Sequence, residues 1–397
     1  MGTEVGGALE ASGVPGASGA PEASGALEAS GVPEVSEAPE VLEAPRAPGA
    51  AERIVVVEKI EVPPLRAGAA AGLPGQPGGP ALDPANDAAP DPANRPASPG
   101  EPKLTITRFC GDPGGIPVLM IHGAIENGRI FHSRSGKGLA PWLASQGFDV
   151  FVADLRGHGE SVPPIGRGSA FGQTEQIVED LGAVVEAVIA RRGGARQAWV
   201  AHSWGGVLLN SFLARFPRYL PLVRAAVYFG SKRRVRAITG ESLLKVWLIW
   251  GLVCPLVGSF AGYLPAAKMG IGSDNETSLY LRQCLRWVRD DAWVDPADGF
   301  DYGAAIRELT MPPIWYVAAA ADLALGHPDD VRSFMEASGT ARARFSILSR
   351  AAGNRNNYDH ITMLTHPDAP GDHFPAVAEW LAAPDPAGGV ISPARTD

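Results

Sequence analysis

From Lys103 onward, short apolar runs alternate with segments in which apolar residues recur at helical spacing. The apolar runs predict strands at Leu104–Phe109, Pro117–Ile121, Asp149–Ala153, Gln197–Ala201, Arg224–Phe229, Pro313–Val317 and Arg344–Leu348. The helical spacing predicts helices at Gly138–Ser145, Thr174–Arg191, Trp204–Phe216, Asp329–Ala337 and Phe374–Leu381. Because strands and helices alternate, the predicted fold class is α/β, with a mostly parallel sheet covered by helices on both faces.

The first hundred residues differ from the rest in composition. Residues 1–50 consist largely of Glu, Ala, Ser, Gly, Pro and Val, and the string GALEASGVP occurs at Gly7–Pro15 and again at Gly25–Pro33. Such a segment cannot bury enough apolar surface to offset the entropy of ordering. We therefore predict a disordered acidic extension over 1–100, with a short strand within 53–65, then one domain over 101–385 and a flexible tail over 386–397.

The formal net charge of -9 belongs to this extension. No block of basic residues suggests nucleic acid, and the short cluster at 232–236 is expected to be solvated surface. The three cysteines, Cys110, Cys254 and Cys284, are too widely spaced for a zinc motif or a disulfide framework. We predict no cofactor and no metal. The N-terminus has no secretory signal pattern, so a cytoplasmic location is expected, with peripheral membrane attachment as a variant.

Ser203 stands where a predicted strand passes directly into a predicted helix, within Ala201-His-Ser-Trp-Gly-Gly206. A nucleophile in such a turn needs small neighbours; Gly205 satisfies this, and Ala201 replaces the more usual glycine. The helix N-terminus beside the hydroxyl favours developing negative charge. The pattern predicts a nucleophilic serine, although by itself it also fits an ordinary serine in a strand–helix turn.

Two further segments strengthen this interpretation. An apolar strand ends in His122-Gly123, and a second one is followed by Arg156-Gly-His-Gly159. With the serine turn, these segments occur in the order and spacing of the α/β-hydrolase superfamily, which the chain resembles from Leu104 to Leu381. The resemblance implies that the backbone N–H groups of Ala124 and Trp204 form an oxyanion hole. It also implies that His122 supports its own loop.

In this superfamily the catalytic residues follow the order Ser, acid, His. The resemblance places the acid after the strand that follows the insertion, where Asp322 stands. His360, in the run Tyr-Asp-His, is similar to the base of acid-lipase-like members. His373 is the second choice for the base, and His366 the third. The predicted catalytic residues are thus Ser203, Asp322 and His360.

These residues predict a serine hydrolase that cleaves a carboxylic ester through an acyl-enzyme, with a small-molecule or lipid ester as substrate. An acyltransferase with the same chemistry is one alternative. A non-catalytic binding protein on a hydrolase scaffold is another.

Residues 231–309 fall where this fold places a lid. Within them, 246–264 carry no charge and include Trp247, Trp250, Phe260 and Tyr263. We expect a lid helix with an apolar inner face. Peripheral membrane contact through 246–264 is the first alternative, and a spanning helix, which Pro255 and the glycines oppose, is the second.

Overall fold

The computed structural model describes residues 34–35, 40–43, 54–65 and 102–384. The other residues of the predicted N-terminal extension, and the predicted tail over 386–397, lie outside these residues, so their disorder stays a prediction. Three strands occur in the described part of the extension: β1 Glu34–Val35, β2 Glu40–Glu43 and β3 Ile54–Val62. The third agrees with the strand expected within 53–65, while the sequence did not predict the first two.

The remaining strands are β4 Leu104–Cys110, β5 Pro117–Ile121, β6 Asp149–Asp154, β7 Gln197–His202, β8 Val223–Phe229, β9 Tyr263–Leu264, β10 Glu276–Thr277, β11 Ile314–Ala319 and β12 Ala343–Leu348. The main sheet has the order β1-β3-β4-β6-β5-β7-β8-β11-β12, with β2 also paired to β3. Strand β4 is antiparallel to β3 and β6, and the neighbouring strands β6, β5, β7, β8, β11 and β12 are parallel. Strands β9 and β10 form a separate antiparallel pair.

The described helices are α1 Leu139–Ser145, α2 Gln173–Glu175, α3 Leu181–Arg192, α4 Trp204–Arg215, α5 Gly240–Ser242, α6 Cys254–Ala261, α7 Ala266–Met269, α8 Ser278–Arg289, α9 Tyr302–Arg307, α10 Pro328–Ala337, α11 Thr362–Thr365 and α12 Phe374–Ala382. A π-helical segment, Gln176–Asp180, joins α2 to α3, and another, Leu243–Val253, joins α5 to α6. Every strand and helix listed from the sequence pattern is present, with ends within two residues of those predicted.

Two apolar cores lie on opposite faces of the sheet. Successive residues of β5 alternate between them: Leu119 packs with α3 and α4, whereas Met120 packs with α1 and α12. The alternation follows from the two-residue period of a strand. Strands β5, β6, β7 and β11 are buried at every position, as expected for parallel strands covered on both faces.

The insertion, residues 231–309, lies between β8 and β11. Its first helix is continuous over Gly240–Ala261, and it is the one helix in the described part of the chain that is long and apolar enough to cross a membrane. The expected apolar inner face is small, because Val246 and Cys254 are buried whereas most of the leucines face outward. Only 17% of its most apolar stretch is buried.

The basic cluster at 232–236 corrects one expectation from the sequence. Arg233 is buried and not solvated: its guanidinium donates to the carbonyl oxygens of Trp287, Asp290, Asp291 and Ala292. These carbonyls lie at and just beyond the C-terminal end of α8, where helical hydrogen bonding leaves acceptors without partners. The cluster therefore contributes a structural cap inside the insertion.

Candidate active site

Ser203 occupies a sharp turn between β7 and α4. Its φ of 51° is in the left-handed region that non-glycine residues rarely adopt. Its backbone N–H donates to the carbonyl of Phe229 over 2.8 Å, which ties the turn to the end of β8. Gly205 has no room for a side chain, because a Cβ there would lie 2.5 Å from the carbonyl oxygen of Ile121. The strand–turn–helix context predicted for Ser203 is therefore present.

Asp322 and His360 form a buried hydrogen-bonded pair. Asp322 follows β11 and His360 follows β12, so both lie at the carboxyl edge of the parallel sheet, as Ser203 does. His360 Nδ1 and Asp322 Oδ2 are 2.6 Å apart. Burial alone would raise the pKa of Asp322, but the charge and hydrogen bond of His360 hold that pKa well below its ordinary value. An ionised carboxylate at Nδ1 fixes the tautomer of the imidazole and directs its chemistry to Nε2.

A glycine makes room for this pair. Gly230, immediately after β8, has a φ of 60°, and a Cβ there would lie 2.9 Å from His360 Nδ1. The backbone turn that lets the imidazole approach β8 therefore requires glycine. The sequence analysis did not single out Gly230, whose importance depends on contact with a loop that begins more than a hundred residues later.

Ser203 lies beside this pair without bonding to it. Its side chain is half-buried and makes no hydrogen bond to any residue in the described ranges. The ring of the preceding residue, His202, lies 4.6 Å from the ring of His360, measured between centroids. Catalytic hydrogen bonds are often long in the absence of substrate, so this geometry is compatible with a Ser–His contact that forms on binding.

The loop after β5 passes directly against the serine. A Cβ on Gly123 would lie 2.8 Å from Ser203 Cβ, which places the following residue, Ala124, at the edge of the same site. Within the described ranges, the backbone N–H groups of Ala124 and Trp204 donate to no other protein group. Both amides predicted for the oxyanion hole are therefore available as donors, and their role in binding an oxyanion stays a prediction.

The other histidines have structural partners. His122 Nδ1 is 2.8 Å from Gly123 O, and its Nε2 accepts from Leu155 N–H, so His122 supports its own loop as expected. His373, the second choice for the base, contacts the carbonyl of Met363 over 2.7 Å, and His366 accepts from the N–H of Asp368. Of the three candidates for the base, only His360 contacts Asp322.

Glu126 is a site residue that the sequence analysis missed. Its Oε2 lies 2.8 Å from His202 Nδ1 and accepts from Gly123 N–H over 3.0 Å. Burial alone would raise its pKa, but His202 and His360 lower it to about 2. Glu126 lies three residues after His122-Gly123, but its contact with His202, 76 residues later in the chain, is visible only in the folded protein.

Glu126, His202 and His360 are also the one group in the described residues whose potential metal-ligating atoms all lie within 4.8 Å of one another. The facing atoms of Glu126 and His202 are already hydrogen-bonded to each other. We therefore interpret the group as a hydrogen-bonded network and not as a metal centre.

The insertion is attached to the loops around the site through polar contacts. Asp274 accepts from Asn127 Nδ2 and from Gly159 N–H, each over 2.7 Å. His158 Nε2 and Glu276 Oε2 are 3.3 Å apart and fully buried. Burial alone would lower the pKa of His158, but Glu276 raises it above its ordinary value. The insertion is thus connected by charged groups to the loops that follow β5 and β6.

Comparison with known families agrees with the fold. Residues 116–261 match the model of a family described as serine aminopeptidase, S33. The match begins at β5 and includes the turn that carries Ser203. The order of the strands, the single antiparallel β4 within them and the serine turn are those of an α/β-hydrolase. The chain has the α/β-hydrolase fold, and its residues 116–261 are similar to a hydrolase family.

Individual relatives are distant. A probable lysophospholipase L2 of Haemophilus influenzae is 27% identical over 118 residues, which make up 30% of this chain and 37% of that protein. An esterase from Exiguobacterium antarcticum has a TM-score of 0.48 at 15% identity, covering 71% of this chain and 97% of its own. A monoacylglycerol lipase from Paleococcus ferrophilus has a TM-score of 0.45 at 16% identity, covering 71% and 99%.

Proposed function

We propose that the chain is a serine hydrolase that cleaves a carboxylic ester, with Ser203 as nucleophile, His360 as base and Asp322 as the residue that orients the base. The observation that carries the proposal is the buried 2.6 Å contact between His360 and Asp322 at the sheet edge where Ser203 occupies a strained turn. Nothing in this arrangement requires a cofactor, because the side chains themselves supply a nucleophile, a base and an orienting carboxylate.

The reaction follows from these positions. His360 Nε2 takes the proton of Ser203 Oγ as the oxygen attacks the acyl carbon. The backbone N–H groups of Ala124 and Trp204 stabilise the resulting oxyanion. The C–O bond to the alcohol then breaks, and the imidazolium returns the proton to the leaving oxygen. Water, deprotonated by the same imidazole, then attacks the acyl carbon of the acyl-enzyme. The bond to Ser203 Oγ breaks, the imidazolium returns the proton to Oγ, and the acid leaves.

The test is labelling by a fluorophosphonate, which reacts with activated serines. We expect wild-type protein to be labelled and S203A to be unlabelled. The matched control is S211A, which removes a buried serine that lies on α4 and donates to Val207 O; this variant should be labelled normally. Unlabelled, folded wild type, both with and without mild detergent, would overturn the proposal.

We further propose a lipid ester as substrate, with the insertion meeting a lipid surface. The similarity of 118 residues to a protein named a probable lysophospholipase supports the lipid ester substrate. The outward apolar face of Gly240–Ala261 supports the contact with a lipid surface: Leu248, Leu252 and Leu256 are about half exposed, and Phe260 is 83% exposed. Large apolar patches of this kind mark protein or membrane contacts.

A further inference from the structure

A second histidine–carboxylate pair lies against the first. His202 Nδ1 faces Glu126 Oε2 over 2.8 Å, and His202 Nε2 faces the backbone carbonyl oxygen of His360 over 2.9 Å. His202 is buried, and its ring packs at 4.6 Å from that of His360. The mechanism above assigns no role to either member of this second pair.

Counting protons gives the number that the pair holds, and the lowered pKa of Glu126 favours the carboxylate form. A carbonyl oxygen can only accept, so His202 Nε2 must carry a proton to bond to His360 O. Nδ1 faces a carboxylate oxygen that already accepts from Gly123 N–H. The contact therefore contains a further proton, and an imidazolium beside an ionised carboxylate satisfies all three hydrogen bonds. Burial alone would lower the pKa of His202, but Glu126 raises it, which agrees with this assignment.

The pair connects three loops. Glu126 holds the amide of Gly123, next to Ala124, in the loop after β5. His202 precedes Ser203 in the serine turn, and its Nε2–H holds the main chain of His360. We propose that Glu126 and His202 are positioning residues, which as a carboxylate–imidazolium pair fix the oxyanion loop and the base relative to Ser203. This inference rests on the proposed function.

Other ionisable groups face the pair from neighbouring elements. His360 and Asp322 face His202, whereas His122 and Tyr280, on α8, face Glu126. When His202 loses one proton at alkaline pH, one ring nitrogen presents a lone pair to an oxygen that also can only accept. Either the hydrogen bond to Glu126 or the one to the carbonyl of His360 is then lost. We therefore expect kcat to fall on the alkaline side as His202 deprotonates.

The test compares E126Q, H202N and the control H366N with wild type, using a chromogenic ester across the pH range. E126Q should lower kcat by about tenfold to 10²-fold through misplacement of the reacting groups, with little change in KM. In E126Q, the alkaline fall of kcat should occur at lower pH than in wild type, because His202 loses the carboxylate that stabilises its positive charge. H202N should have a low kcat at every pH. Its plot of kcat against pH should lack the part of the alkaline fall that is due to deprotonation of His202. H366N should match wild type.

A second readout does not depend on activity. In wild-type protein labelled with ¹⁵N-histidine, the His202 resonances, assigned by their absence from H202N, should show two protonated ring nitrogens at neutral pH. A neutral His202, or an E126Q variant with the kcat and pH profile of wild type, would overturn the inference. Failure of the proposed function would appear separately, because Ser203 in wild type would then not react with the fluorophosphonate. The NMR measurement would still decide the charge state of His202.

Discussion

Asp322 determines what His360 can do. Its Oδ2 receives Nδ1–H over 2.6 Å, and its Oδ1 accepts from Leu325 N–H over 2.8 Å, so the carboxylate is held from both sides. Because its pKa is depressed, Asp322 stays ionised in acid below the ordinary range of an aspartate. The ionised carboxylate therefore keeps its contact with His360 Nδ1 at neutral pH and in moderate acid.

We predict that D322N lowers kcat by roughly 10³–10⁴-fold, because an amide in place of the carboxylate favours the wrong tautomer of His360. Ester hydrolysis under saturating substrate measures the effect. D368N is the control, since Asp368 is a half-exposed carboxylate near His366, in the same C-terminal part of the chain. A D322N variant within tenfold of wild type would contradict the role of Asp322.

At the scale of elements, the insertion is held by a few buried charged groups. Arg233 caps the end of α8, and its burial and its arginine neighbours lower its pKa to about 10, so it remains a cation at neutral pH. A cationic donor to several carbonyls is stronger than a neutral one, and its removal leaves buried acceptors without partners.

R233A should lower the free energy of unfolding by about 2–4 kcal/mol. Urea denaturation measures this change, and limited proteolysis should show earlier cleavage within 231–309. R236A removes an exposed arginine from the same cluster and should change stability by less than about 0.5 kcal/mol. Equal effects of the two variants would mean that the carbonyl contacts of Arg233 contribute nothing particular.

The His158–Glu276 pair predicts a pH-dependent stability. The pKa of His158 is raised in the folded protein, so its contribution is complete below its ordinary pKa of 6.5 and is lost as the pH rises through the folded value. The difference in unfolding free energy between wild type and H158Q should therefore be largest near pH 5 and shrink toward pH 9. Urea midpoints at several pH values measure it, with H366Q as control. A difference that grows with pH would show that the pair does not hold a charged histidine.

For the whole molecule, the outward face of Gly240–Ala261 stands out because its large apolar side chains are exposed and not packed into a core. Its exposed apolar side chains, among them Leu248, Leu252, Leu256 and Phe260, lie on the insertion. A lipid surface would cover this face and would bring ester substrates close to Ser203.

We predict that wild-type protein floats with neutral phosphatidylcholine vesicles, and that L248S/L252S reduces the bound fraction several-fold because apolar area is lost from the contact. The fluorophosphonate labelling of this variant in solution should be unchanged. V56S, which alters an exposed apolar residue on β3, serves as control. If wild type, L248S/L252S and V56S float equally, the proposal that the insertion contacts the lipid surface is wrong.

The alternation of strands and helices, the strained serine turn and the place of the insertion could all be predicted from the sequence. These features are local: burial on both faces of a strand or one face of a helix imposes a period of two or 3.6 residues, which a short stretch reveals. The resemblance to α/β-hydrolases then implied Asp322 and His360, with His373 and His366 as alternatives for the base.

Which of those histidines contacts Asp322 is visible only in the folded chain, because the contact of His360 with Asp322 joins loops 38 residues apart. The Glu126–His202 pair, 76 residues apart, and the burial of Arg233 against α8 are decided in the same way. The outward orientation of the leucines on Gly240–Ala261 depends on which side of that helix the rest of the insertion covers. Such pairings depend on which distant loops come together in the folded chain. The local period of apolar residues does not predict these contacts.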